Sequence, residues 1–345
     1  MVTRVLIVGL GSIGKRHLAI ARELLPNADI RVLRHQLVVD IPEGANGIFS
    51  DLSDALVFRP DVSVICNPAP FHVNVALALA HNGSHLLIEK PLASSLEGVV
   101  ELNRACEEAD VVGMTGYNLR FLPSLNRFRE LLESKVAGTV LSIRVEAGQH
   151  LPSWRPNADY RTTVSAQKAL GGGVLLELSH ELDYLRWIFG EVRWVQGNLS
   201  RQSSLEIDVE DTAHLICRVQ SRHSQSDITA SVMLDFVRRD TTRICMAVCE
   251  NASLRWDGVA GTVSLFDPVK GDWEIVFHQI HDRNTSYRAE WQHLLECIKL
   301  KTRPLVTIAD GARVLEIIQA VRAAANSGHE ITVSTLDLNL DRNSL

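Results

Sequence analysis

The chain has 345 residues, 46% hydrophobic and 22% charged, and its 35 Lys and Arg against 41 Asp and Glu give a formal net charge of −6. This length suits two globular domains, the composition excludes a disordered or fibrous protein, and the acidic balance excludes a general nucleic-acid or membrane-surface binder. The opening MVTRVLIVGLGSIG has an apolar run only from Val5 to Val8, shorter than a signal-peptide core or the roughly 20 residues of a membrane span, so the cytoplasm is the expected location. Cysteines at 66, 106, 217, 245, 249 and 297 form no CxxC pair. They read as reduced, buried thiols. Cys245 and Cys249 share a strand without a partner set of His or Cys, so core packing is expected there and no metal site is assigned.

From residue 1 to 118, short apolar runs alternate with helical stretches. Strands are predicted at 4–8, 30–33, 62–66, 85–88 and 111–115, with helices at 15–25, 72–81 and 96–108. Near-continuous apolar strands separated by helices specify a parallel, doubly wound α/β sheet covered on both faces. After residue 118 the period changes. Leu141, Ile143, Val145 and Ala147 alternate with Ser142, Arg144 and Glu146, and Ile228, Ala230, Val232, Leu234 and Phe236 repeat the pattern. Alternation of this kind marks half-buried antiparallel strands. Further strands are predicted at 211–219, 241–250, 261–266 and 273–278, a helix at 174–189, and closing helices at 287–300 and 309–325. The expected organisation is therefore a domain over 1–118, an α+β domain over 119–335 built on a large, open, mostly antiparallel sheet, and a polar tail over 336–345. A sheet with one uncovered face calls for a partner, so a homodimer or homotetramer formed through it is expected.

Gly9-Leu10-Gly11-Ser12-Ile13-Gly14 is a G-x-G-x-x-G run placed between the first strand and the first helix. In that position the glycines serve a tight turn, close approach of backbone to a pyrophosphate, and close helix–sheet packing, and the helix N-terminus offers free N–H groups to phosphates. This makes the first domain a Rossmann dinucleotide-binding domain; a methyltransferase built on the same kind of sheet is the rival. The second strand ends in Leu33-Arg34-His35, with a cation where an NAD enzyme carries an acid for the ribose hydroxyls. Arg34 can form a bidentate pair with a 2′-phosphate and His35 can add a further contact, so NADP is expected over NAD; a solvated surface arginine is the alternative.

The fourth predicted strand runs into Glu89-Lys90-Pro91. Ligands of open parallel sheets bind beyond the carboxyl ends of the strands, which directs Lys90 to the cofactor crevice, where its amine can take a proton from an alcohol as hydride leaves the same carbon. On the tripeptide alone, a surface lysine before a turn proline fits as well.

The set G-x-G-S-I-G-x-R-H (9–17), N-P-x-x-x-H (67–72), E-K-P (89–91), G-Y-N-x-R-F-x-P (116–123), G-G-G-V-L-L-E-L-S-H-E-L-D (171–183), S-Y-x-x-E-W (286–291) and P-L-V-T-I-x-D-G (304–311) closely resembles the Gfo/Idh/MocA oxidoreductase family. The resemblance covers most of the chain. It implies NAD(P)-dependent hydride transfer at a CH–OH group of a sugar, inositol, sugar acid or nucleotide sugar, and the variant motifs look most like members of surface-polysaccharide or nonulosonic-acid sugar pathways. It also implies a cis Lys90–Pro91 bond, Lys90 as acid–base catalyst and His180 as its helix histidine. Many members carry an acid four residues before that histidine; here Leu176 holds the place, and Glu177, three before, is the candidate to orient His180. Asp183, Asn118, Arg120, Tyr160 and Arg161 are candidate substrate contacts, while Asn67, Pro68, His72 and Glu89 join the glycine loop around the cofactor. For Asn118 and Arg120 interdomain packing is the alternative; for Asn67 and His72, a helix cap or core contact. A dinucleotide-binding regulator without turnover and a redox-assisted glycosidase are the rival functions.

Overall fold

The computed structural model describes residues 2–34, 40–222, 226–280 and 282–336. The chain forms two compact units: the segment up to Asn118 together with Asn284–Leu315, and Leu119–Arg283 together with Glu316–Thr335.

The first unit opens β1 (Arg4–Val8), α1 (Ser12–Leu24), β2 (Asp29–Leu33), β3 (Gly47–Phe49), α2 (Leu52–Phe58), β4 (Val62–Ile65), α3 (His72–His81), β5 (His85–Glu89), α4 (Val99–Glu108) and β6 (Gly113–Gly116). Among the described residues the strands form one six-stranded sheet in the order β3-β2-β1-β4-β5-β6, every pair parallel. Val5, Leu6, Ile7, Val62, Val64 and Ile65 are wholly buried, as central strands covered on both faces must be. The chain crosses from β3 over to β4, so the winding reverses beside β1, and the carboxyl ends of β1 and β4 flank the switch point where such sheets bind ligands. β3 and α2 carried no clear periodic signal because all three β3 residues are only half-buried.

The second unit contains α5 (Pro123–Glu133), β7 (Val140–Gly148), α6 (Val174–Glu177), α7 (His180–Phe189), β8 (Gly190–Ser200), β9 (Thr212–Ser221), β10 (Ile228–Asp235), β11 (Thr242–Cys249), β12 (Ser253–Asp257), β13 (Thr262–Asp267) and β14 (Asp272–His278). Then follow α8 (Thr285–Leu300), α9 (Ile308–Ser327) and β15 (Ile331–Thr332). Its nine-stranded sheet runs β14-β13-β12-β11-β7-β10-β9-β8-β15. All pairs are antiparallel except β7 with β10. Val232, Cys217 and Ala247 are fully buried on one face, whereas Ile216 and Met233 on the other remain 43% and 40% exposed.

Two expectations are corrected. The predicted helix over 174–189 is two helices, since Leu178 leaves helical geometry (φ −100°, ψ 32°) and α7 restarts at His180. The closing helix α8 belongs to the first unit, not to the 119–335 domain: Arg288 pairs with Glu23 of α1 at 2.9 Å, and Trp291 is fully buried against the same helix. The polar tail beyond Leu336 lies outside the described residues. Among those described, no helix is long and apolar enough to cross a membrane.

Candidate active site

The glycine loop leaves β1 and enters α1 within four residues. Gly9 takes φ +86°, and a Cβ there would sit 2.9 Å from the Asn67 nitrogen. A Cβ on Gly14 would strike the Gly9 carbonyl oxygen at 2.1 Å, so this glycine lets the helix pack on the strand. Gly11 is different, because its Cβ would meet nothing within 4 Å. Among the described residues no packing demand explains that glycine, and the space beside it leaves its backbone open to approach. Gly11 is also the N-cap of α1, with no side-chain cap and no acid in the first turn. Ser12 and Ile13, the first two helical residues, thus present main-chain N–H groups and the positive helix end outward. This arrangement fits a pyrophosphate.

Arg34 closes β2 with its main-chain N–H bonded to the Phe49 carbonyl at 2.9 Å. Its half-buried side chain makes no hydrogen bond or ion pair among the described residues. His35 lies outside them.

At the end of β4, Pro68 starts a short 3-10 turn leading into α3. Among the described residues the buried carboxamide oxygen of Asn67 has no partner, while its main-chain oxygen meets His72 Nε2 at 2.6 Å. His72 Nδ1 lies 3.1 Å from the Pro91 carbonyl oxygen. His72 is therefore a buried brace between the loops after β4 and β5, which is the core contact given as the alternative to lining the cofactor. Burial holds its pKa below the ordinary imidazole value, against the pull of these carbonyls.

β5 delivers Glu89 and Lys90, and the Lys90–Pro91 bond is cis. Lys90 is half-buried, and its main-chain N–H donates to Glu89 Oε2 at 3.0 Å. Glu89 Oε1 lies 2.7 Å from His17 Nε2, and the Trp291 indole N–H donates to His17 Nδ1 at 2.8 Å. Glu290, one residue before that tryptophan, is fully buried, and among the described residues neither of its carboxyl oxygens is hydrogen-bonded. Its pKa stands well above the usual carboxylate range, first through burial and then through the charge of Glu89. The same two carboxylates add to the burial that raises the Cys66 thiol. His17, Glu290 and Trp291 were not singled out as site residues from the sequence; their only trace was their place in the motifs at 9–17 and 286–291.

In the second unit His180 is the first residue of α7 and 8% exposed. Since the helix breaks before it, the shared-face argument linking it to Glu177 no longer holds. Asp183, one turn on, is 1% exposed and bidentately bound to Arg120, with Nε to Oδ2 at 3.0 Å and Nη2 to Oδ1 at 2.6 Å. The Arg120 guanidinium also lies 5.6 Å from the centre of the Trp187 ring. These two candidate substrate contacts are thus paired with each other in the core. Arg161 is likewise held by Asp159 at 2.9 Å and Glu206 at 2.7 Å, in the open. Tyr160 accepts the Glu206 main-chain N–H at 3.2 Å and lines a small indentation with Leu151, Trp154, Arg155, Thr163 and Ser165. Asn118, the last residue of the first unit, is buried and donates to Ser286 Oγ at 2.7 Å. Cys245 and Cys249 are buried, and burial raises the Cys249 thiol to about 11. Among the described residues no group of His, Cys, Asp or Glu is arranged to hold a metal ion.

A doubly wound parallel sheet with an uncapped glycine-loop helix at its switch point, joined to an α+β unit, defines a dinucleotide-dependent oxidoreductase. Residues 3–117 match the oxidoreductase family with an NAD-binding Rossmann fold, and residues 125–255 match the GFO/IDH/MocA C-terminal domain. The chain belongs to the GFO/IDH/MocA family. It is 27% identical over 276 residues to trans-1,2-dihydrobenzene-1,2-diol dehydrogenase of Xenopus laevis, spanning 77% of this chain and 79% of that enzyme. It is 30% identical over 172 residues to 2,7-anhydro-N-acetylneuraminate hydratase of Escherichia coli, spanning 46% of this chain and 45% of that protein. A structure of levoglucosan dehydrogenase in complex with NADH shares the fold, with a TM-score of 0.83 over 97% of this chain and 100% of that one at 19% identity.

Proposed function

We propose that this oxidoreductase moves hydride between NADP and a hydroxyl-bearing carbon of a sugar, sugar acid or nucleotide sugar. The observation that carries the reading is the position of Lys90, at the carboxyl end of β5, with only β4 between that strand and the glycine loop of β1. Gly9, Gly11, Ser12, Ile13 and Gly14 hold the pyrophosphate, and the buried, unsatisfied Asn67 carboxamide oxygen beside that loop accepts a further donor. When bound, the nicotinamide supplies the site that accepts or donates hydride. Lys90 takes the hydroxyl proton during oxidation and returns it during reduction, and its charge steadies the developing alkoxide. His180 orients the hydroxyl or assists the proton. Trp154, Tyr160 and Arg155 around the indentation suit sugar faces and hydroxyls or an acidic substituent. The partly exposed Ile216 and Met233 on the open sheet face support assembly with further copies of this chain, and the scattered thiols agree with a cytoplasmic setting. Turnover of a panel of sugars with added NADP tests the reading.

The likeness to a hydratase favours a second reading, in which redox at the sugar is transient and no reduced cofactor accumulates. Nicotinamide that copurifies and sugar conversion without net reduction would decide for it. Lys90 and His180, both present, speak against a regulator without turnover.

For the cofactor, Arg34 follows β2 with a guanidinium that makes no hydrogen bond or ion pair among the described residues. NADP is expected to bind about tenfold to a hundredfold more tightly than NAD, the span of one or two charge-assisted contacts. The gap should narrow as salt rises. Arg34→Asp should reverse the order by removing the phosphate's partner and supplying an acceptor for the ribose hydroxyls. Calorimetric titration of both proteins with both cofactors checks this; equal affinities in the unmodified protein would mean that Arg34 does not read the phosphate.

A further inference from the structure

Three sequence segments far apart in the chain, around His17, Glu89 and Trp291, meet in one buried hydrogen-bonded line inside the first unit. Each link has a fixed direction. The indole N–H of Trp291 can only donate, so His17 Nδ1 accepts it at 2.8 Å and carries no proton there. The ring proton then sits on Nε2 and is donated to Glu89 Oε1 at 2.7 Å. The other oxygen of the same carboxylate accepts the main-chain N–H of Lys90 at 3.0 Å. His17 is wholly buried, Trp291 wholly buried and Glu89 6% exposed. The imidazole is further clamped by the Tyr287 ring, edge-on at 5.7 Å.

We infer that His17, held in one neutral tautomer by Trp291, is a positioning residue that fixes Glu89 and through it the main chain of Lys90. The inference rests on the reading of Lys90 as the acid–base group, and it assigns a task to two wholly buried residues, His17 and Trp291. Burial of the line is what gives it authority. Glu89 is 6% exposed, so removing the Nε2–H takes a buried donor from its carboxylate and frees the side chain to turn away from the Lys90 main-chain N–H. Fixing the backbone within a few tenths of an ångström matters because acid–base transfer depends on reach and alignment.

The test reads the Lys90 amide directly by hydrogen exchange with single-residue resolution in the full-length protein. His17→Gln keeps a donor at the Nε2 position and is expected to leave exchange of the Lys90 amide near the unmodified rate. His17→Leu removes the donor and is expected to speed that amide by about tenfold to a hundredfold, the worth of one hydrogen bond to a charged group. The β1 amides should stay protected in both. Trp291→Phe, which frees Nδ1 and the tautomer without removing the donor, should fall between them, and it carries the comparison if His17→Leu does not fold. An unchanged Lys90 amide in His17→Leu, or an equal acceleration in His17→Gln, would overturn the inference. In turnover of the sugar that reacts fastest in the panel, His17→Leu should lower kcat at least about tenfold and leave cofactor Kd and KM alone, whereas a purely structural residue would lower the folded fraction and leave kcat per folded molecule intact. Wild-type turnover in Lys90→Met would instead sink the reading of Lys90 and leave the exchange result standing.

Discussion

Lys90→Met is expected to lower kcat by about 10²–10⁴, the contribution of one positioned acid–base group, while dinucleotide affinity stays within a factor of a few. Methionine matches the length and apolar stem of lysine without its proton or charge, so the substitution asks about chemistry and little else. The groups proposed to hold the cofactor lie at the ends of β1, β2 and β4 and at the start of α1, and none of them is altered. The main-chain N–H of residue 90 still has Glu89 as its acceptor. Steady-state kinetics beside a cofactor titration separates the two quantities. A kcat equal to that of the unmodified protein would remove Lys90 from the mechanism.

The second large effect belongs to Arg120 and Asp183, which are 3% and 1% exposed and joined by two hydrogen bonds. Arg120→Leu takes its guanidinium partner from a buried carboxylate and is expected to cost about 3–5 kcal/mol, the usual effect of breaking a buried pair. For a unit of this size that is a fall in Tm of roughly 6–20 °C. Arg120→Leu combined with Asp183→Leu should recover most of the loss, because two apolar groups of similar volume remove both charges at once. Thermal denaturation of the two variants makes the comparison. If Asp183 instead reached a substrate hydroxyl, as its place in the motif suggested, Arg120→Leu would raise KM with little change in Tm, and the double variant would gain nothing back.

These two residues show where sequence reading ran out. The strands β1, β4 and β7 were legible because a buried parallel strand or a half-covered antiparallel one imposes its own pattern on consecutive residues. The glycine loop was legible because three glycines at fixed offsets have a purpose only in one kind of turn. Lys90 and His180 were named through the company their motifs keep. By contrast, the Arg120–Asp183 pair joins residues 63 apart and the His17–Trp291 bond joins residues 274 apart, so no local pattern announces either. A charged residue inside a motif invites a substrate-facing reading until its partner is seen. The helix break at Leu178 left no mark because the segment Val-Leu-Leu-Glu-Leu-Ser reads as continuous helix. β8 escaped notice because its alternation fades after Val195 and is interrupted by Gly197. α8 was assigned to the wrong unit for a related reason: periodicity gives a helix its apolar face but not the surface that the face covers.

The central claim, hydride transfer at a sugar hydroxyl with Lys90 as the acid–base group, is tested most directly by mixing the protein with NADP and a panel of free sugars, inositols, anhydro sugars, sugar acids and nucleotide sugars, and following nicotinamide reduction. The account predicts reduced cofactor in proportion to sugar consumed for at least one member of the panel, and loss of that signal in Lys90→Met. Sugar converted with no net reduction, or equal reduction by the Lys90→Met protein, would contradict it.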